Sequence, residues 1–575
     1  MSVIINKEFI MAGNINFLPL PRPPVNQGID TTNATVLNHN SIYATLMAQI
    51  TSENTQSNAV LTLNPYGTAP LSLYVGLWAN EAGSVQMTVT DESGSVPLLT
   101  FQQNIVTGPN LVPVSGLVAD TVNIISLTST SGTTSWPVLT APLPPGDAQN
   151  PNGHNLFPQV TLKTPVTDPS LLAEGVYFVS CFDRNNIALD YEANIRWFTT
   201  KDMPSNNLLH IANGNFLSSA IAQNNYLEMY EFDMVGRVHT VYKLDTALHH
   251  SLYQQSNGLL VGASEYAPGT RPDGGKSIED GVSVIDLTTG LEIRYYDMVK
   301  VLDPARITRP SNPPSTDGTI DWLHVNQSYI NETNNILVTS GRNQSAIFGV
   351  NADTAELVFI MGTHEDWSSA FTNYLLTPVD SQNNPLYDFS DPQQVAAANL
   401  SFWNWGQHNV LEIPNGNTGL IDISVFNNGN YRASTDNKSV EPWKNQSRVS
   451  NYRIDINART VQKLSEYYSG PEGYSSLCGA KQIMPNGNLV VCYGGATFDG
   501  TGLTMTCDPG YSDVDYGVWD DSAEGKLPLR ELDEQGNILL DITIGSGLAR
   551  SKNDDPTMFR YNITCFRAYK LPLFG

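Results

Sequence analysis

A strand–turn–strand unit recurs along this chain, and three of its copies carry a histidine. His250 stands seven residues before Asn257-Gly258, and His408 stands seven before Asn415-Gly416. His324 opens a third copy, DWLHVNQSYINETNNILVTSGRNQ, with a longer turn at Asn334-Asn335. Each copy joins a first strand to a second apolar strand (LLVGAS, NILVTS, GLIDIS) through an Asn/Gly turn. Residues that recur at one place in a repeat converge in space if the repeats surround an axis. The 575 residues hold only nine histidines, so three at matching places narrow the search for a site.

The repeat sets the expected fold. First hairpins begin near Leu208, His249, His324, His408 and Cys478, and each is followed by an outer strand pair such as VIDLTTGLEIRYYDM or ELDEQGNILLDIT. Four strands repeated every 40 to 90 residues predict an all-β, six-bladed β-propeller over 175–575. The segment VYFVSCFDRNNIALDYEANIRWF lacks a first strand beside it, and the C-terminal YNITCFRAYKLPL is placed to supply one and close the ring. Upstream, short apolar strands between turn clusters predict an N-terminal β-sandwich over 41–138. Residues 1–40 are read as an irregular arm and 139–174, rich in Pro, Gly and Asn, as a linker. Short helical pieces are expected near 364–376 and 391–398.

Charge restricts the partners. A net charge of −26 argues against nucleic acid, whose phosphates need a basic surface, and against anionic membranes. A small anion is still admissible, because a local Arg/His cluster overrides the global field. No stretch is long and apolar enough to insert in a membrane. The opening MSVIINKEFIMAGNINFLPLPRPP has no basic segment followed by a long apolar core, so no secretory signal is read there. The five cysteines show no zinc spacing. Cys181 and Cys565 lie in strand-like segments at opposite ends of the repeat region and are candidate neighbours for a disulfide.

On a propeller, first strands line the central channel. That places His250, His324 and His408 there, with Asn326 two residues after His324 on the same side of its strand and Arg342 at the end of the next strand. A channel histidine is commonly structural, bonded between strands, and three imidazoles also suit zinc or iron. No Asp or Glu occupies an equivalent first-strand position, however, and Arg342 with Asn326 suits an oxyanion better than a cation. His249 is expected to face away from the channel, and His364 to lie in a solvated loop. Trp403 and Trp405, just before His408, fit either a packed core or the wall of a flat pocket. The long loops at 266–280, 363–401 and 496–527 are expected to rim that pocket and set substrate choice.

These motifs carry a resemblance. DWLHVNQS, SGRNQSAIFGV, FWNWGQHNV and SRVSNYRID, with LNPYGTAPLSLYV and NLVPVSGLVADTVNIISL upstream, resemble the bacterial PAPS-independent arylsulfate sulfotransferases from about residue 55 onward. The resemblance implies a six-bladed propeller behind an N-terminal sandwich domain, usually as a homodimer. It implies transfer of a sulfuryl group from an aryl sulfate donor to a phenolic acceptor, without cofactor or metal. The Gln-His-Asn motif carries the transiently sulfurylated histidine onto His408. Asn409 follows it, grouped with Trp403 and Trp405 as substrate-binding. The remaining motifs carry active-site roles onto His324, Asn326, Arg342 and His250. The family is typically exported to the periplasm, which leaves the compartment of this chain open.

Overall fold

The computed structural model describes residues 27–144, 157–181, 185–200, 202–204, 206–219, 227–265, 269–271, 274–308, 318–429, 447–468, 470, 473–475, 478–498, 524–545 and 565–574. Cys507 and the rim residues 499–523 lie outside them. The fold is all-β in character, with the apolar side chains of its sheets turned to shared interiors.

Residues 28–49 are not irregular, contrary to expectation. Gly28–Ile29 pairs with Val238–Lys243, and Ala34–Gln49 is a helix. Asn33 caps that helix by accepting from Thr35 N and Val36 N at 3.0 and 3.3 Å. The helix docks through His39, whose Nδ1 accepts from Val238 N at 2.9 Å, and through Tyr43, which lies under the Arg237 guanidinium.

The next unit has two antiparallel sheets. One orders Val60–Leu63, Ser72–Ala79 and Gly108–Ser115; the other orders Leu99–Ile105, Gly83–Asp91, Val122–Ser129 and Gly132–Leu139. Gly83–Asp91 shows why they stack: its Val85, Met87 and Val89 alternate with less buried residues and meet Leu73, Val75 and Val112 of the other sheet.

Among the described residues, six further sheets each contain a four-stranded antiparallel meander. Their first strands are Cys565–Leu571, Asn206–His210, Ala247–Gln254, Val325–Asn331, His408–Ile413 and Ala480–Ile483. Consecutive first strands are neighbours in that order, and Ala480–Ile483 neighbours Cys565–Leu571 in turn. The last strand of the chain therefore pairs with Val176–Cys181 and completes the earliest of these sheets. Gln159–Thr164, expected in a linker, is instead a strand that extends the last sheet by pairing with Ile538–Gly545. Pro392–Ser401 is helical as expected, whereas 364–376 contains only the short turn Thr372–Tyr374.

Cys181 and Cys565 are cross-strand partners, but both are buried thiols with no bond between them. The Cys565 thiol donates instead to Arg567 O at 2.7 Å. The sandwich is tied to the meanders through Arg196, which is fully buried. It donates to Gly116 O and Pro97 O at 2.8 and 2.9 Å and pairs with Asp190 at 2.9 Å. A buried guanidinium needs all of these partners to offset its desolvation.

Candidate active site

The first strands are bulged, and the bulges build the site. Asn207, His250, His324, Asn409 and Cys478 all adopt φ between 47° and 56°, and the ladder register breaks beside the first four. Left-handed backbone costs a side-chain-bearing residue on the order of 1 kcal/mol, so five recurrences mark an element of the repeat rather than an accident. This corrects the sequence register. His250 and His324 are themselves the left-handed residues, whereas His408 precedes one. The three histidines do not occupy one repeat position, yet the bulges bring their ligand nitrogens within 4.8 Å of one another.

His324 Nε2 and His250 Nε2 are 2.9 Å apart. His324 Nδ1 lies 2.6 Å from Asp321 Oδ2 and 2.8 Å from Glu279 Oε2. One Nδ1 proton cannot serve both carboxylates; the hydrogen bond goes to Asp321, and Glu279 remains an ion-pair partner. Burial alone would lower the pKa of His324, but Asp321 and Glu279 outweigh it and raise it to about 10. His324 is thus an imidazolium at neutral pH and donates to His250. Burial, reinforced by the His324 charge, holds His250 well below 6.5 and neutral. Its Nδ1 meets His249 Nδ1 at 2.8 Å, so His249 belongs to the chain of imidazoles and does not face away.

His408 is held separately. Its Nδ1 is 2.8 Å from Asn428 Oδ1, while Asn428 Nδ2 donates to Ser475 O and Cys478 O at 2.9 and 2.8 Å. Those two carbonyls fix which way the amide points, so Oδ1 must accept and His408 Nδ1 must carry the proton. Nε2 keeps its lone pair, met by a long contact of 3.3 Å from Cys478 N. Burial and the nearby Arg342 charge push the His408 pKa well down, which keeps the ring neutral and nucleophilic.

Asn326 donates to Gln407 O at 2.7 Å and so anchors the backbone just before His408. Arg342 Nη1 donates to Asn343 Oδ1 at 2.8 Å, and Arg342 N donates to His324 O at 3.2 Å. Asn409 turns outward to the neighbouring first strand, where Oδ1 accepts from Lys481 N at 3.0 Å. Trp403 and Trp405 are only 1% and 2% exposed. Trp403 packs with Tyr329, Phe359 and Val410, and Trp405 Nε1 donates to Asn399 O at 2.7 Å. Both tryptophans pack into the interior, buried to the same degree as His408 and Arg342. His364 stacks on Phe389 and donates to Leu376 O, away from the cluster.

Sequence reasoning missed Glu279, Asp321 and Asn428. Asp321 stood in plain sight three residues before His324, in DWLH. Glu279 and Asn428 come from other strands' ends and left no local signal.

A family model described as Arylsulfotransferase (ASST) matches residues 162–539, and the Arylsulfotransferase Ig-like domain matches residues 60–141. The chain belongs to the arylsulfotransferase family. Two relatives, each named arylsulfate sulfotransferase AssT, come from Escherichia coli O6:H1 (strain CFT073) and Lelliottia amnigena. Each is 25% identical over 308 and 309 residues respectively, or 46% of this chain and 49% of the relative. The chain thus aligns with about half the length of the curated relatives it matches. Among solved structures, the periplasmic gluconolactonase PpgL of Pseudomonas aeruginosa is 9% identical with a TM-score of 0.27, covering 82% of this chain and 98% of that one. That likeness is too weak to inform fold or activity. Among the described residues no helix is long and apolar enough to cross a membrane.

Proposed function

We propose that this chain is an arylsulfate sulfotransferase that moves a sulfuryl group from a phenolic sulfate ester to a phenol by a ping-pong route through His408. The observation that carries this reading is a neutral, tautomer-fixed His408 beside a cationic Arg342 and a protonated His324. His408 Nε2 attacks sulfur, the sulfur–oxygen bond to the aryl group breaks, and the phenolate leaves. His324 gives it a proton; a pKa of about 10 is close to that of a phenol, so the transfer is nearly balanced. Arg342 stabilises the sulfuryl oxygens as charge moves. In the second half, the acceptor phenol returns its proton to His324, its oxygen attacks sulfur, and the nitrogen–sulfur bond breaks. Asn326 serves by holding the backbone before His408.

The scaffold in this reading is a six-bladed propeller. Six meanders with cyclically adjacent first strands support it. Assembly as a homodimer belongs to the same proposal, to be checked by light scattering. A sulfatase would use the same residues with water as acceptor. The test is 4-nitrophenyl sulfate turnover with and without added phenol. Phenol-dependent release of nitrophenol, with a new aryl sulfate formed, is expected; release indifferent to phenol would replace transfer by hydrolysis.

A further inference from the structure

The three site histidines share a feature that suits a second role beside sulfuryl transfer. Each ring has its Nδ1 engaged from behind: His324 by Asp321, His250 by His249, and His408 by Asn428. The Nε2 atoms of His324 and His250 face each other at 2.9 Å across one proton, which a metal ion would displace, and one ring nitrogen from each of the three histidines lies within 4.8 Å of the others. Metal-binding histidines are oriented in this way, with the second nitrogen committed to a carboxylate, carbonyl or similar group. Zinc–nitrogen bonds of 2.0–2.1 Å in tetrahedral geometry need ligand separations of about 3.3 Å. The 2.9 Å between His250 and His324 and the 4.8 Å limit of the triad bracket that value, so small ring rotations suffice.

The surroundings carry charge of both signs. Glu279 and Asp321 sit behind His324 and favour a dication, while Arg342 opposes it from the His408 side. Three imidazoles with no fourth protein ligand among them match the three-ligand pattern of zinc in its reactive, rather than its purely structural, coordination.

We propose that the His250–His324–His408 triad is also a Zn2+ site, and that a bound zinc ion and an aryl sulfate exclude one another. Zinc on the three Nε2 atoms removes both the nucleophile and the proton donor, so the metal-free chain is the active form and zinc is an inhibitor. The inhibitory half rests on the sulfotransferase reading; the binding half does not.

Co2+ serves as the spectroscopic probe on the full chain, stripped first with chelator. The expected result is one Co2+ per chain with the intense visible bands of tetrahedral coordination, displaced by Zn2+. These bands should vanish in His250→Ala and in His408→Gln and persist in His364→Ala. Absence of tetrahedral bands, or their survival in both triad variants, overturns the site. In the transfer assay Zn2+ should inhibit competitively with the donor, and chelator should restore the rate. Occupancy of the triad with turnover unchanged overturns the exclusion. A chain that binds Co2+ as expected but never turns over any aryl sulfate would refute the sulfotransferase reading and leave the metal site standing.

Discussion

Replacing Asp321 with asparagine tests the electrostatics of the cluster. The substitution keeps the shape and removes the charge that leads the forces holding a proton on His324. The rise from 6.5 to about 10 is worth roughly 5 kcal/mol net of burial. Asp321 and Glu279 share it and also offset the burial penalty, so losing Asp321 should remove more than half, at least ~2–3 kcal/mol, and bring the His324 pKa to roughly 8 or below. A base whose pKa is raised on folding contributes its full stability below the unfolded pKa of 6.5 and loses it as pH rises through the folded value of about 10. The stability gap between the wild-type chain and Asp321→Asn should therefore be largest near pH 6 and shrink between about pH 8 and about pH 10. Urea unfolding midpoints across that range measure it. A gap that stays constant, or widens with pH, would show that Asp321 acts by packing or hydrogen bonding alone and would remove the basis for an imidazolium at His324.

Three more substitutions separate the roles. His408→Ala should abolish transfer, seen by nitrophenol release, while the chain still unfolds cooperatively at a stability cost of about 1–3 kcal/mol for the buried Asn428 amide left without its partner. Asn428→Ala should lower kcat more than KM is raised, because it frees the His408 tautomer; nitrogen NMR of the imidazoles should then show His408 Nδ1 losing its proton part of the time. Trp403→Ala should cost about 3–5 kcal/mol of stability, the price of emptying a packed aromatic site, with little change in KM for the donor. A large KM effect without destabilisation would return Trp403 to the pocket wall.

The parts legible in the sequence are those carried by local pattern. Asn/Gly turns and alternating apolar runs announced the meanders, and the closing role of the C-terminal strand followed from a count of unpaired hairpins. The histidines were visible as a recurrence, but their register was not, because the same seven-residue spacing to the turn holds for His250, itself left-handed, and for His408, which precedes a left-handed residue. The helix Ala34–Gln49 was missed although its cap, Asn33, was in view: its Thr, Val, Ile and Asn content is weakly helical, and docking on the neighbouring sheet holds it. Gln159–Thr164 was hidden for a similar reason, since a Pro- and Gly-rich approach disguises a strand whose partner lies near the other end of the chain. Asn428 and Glu279 were out of reach because their meaning lies wholly in long-range contacts. The packing partners of Trp403, among them Tyr329 and Phe359, lie far off in sequence and left no local signal either.

The most direct test of the account is whether His408 carries the sulfuryl group. The full chain is mixed with 4-nitrophenyl sulfate without acceptor, quenched, and digested for mass spectrometry. A burst of one nitrophenol per active chain is expected, with a single sulfuryl adduct on the peptide containing His408, discharged by added phenol. No burst, or an adduct on any other residue, would contradict it.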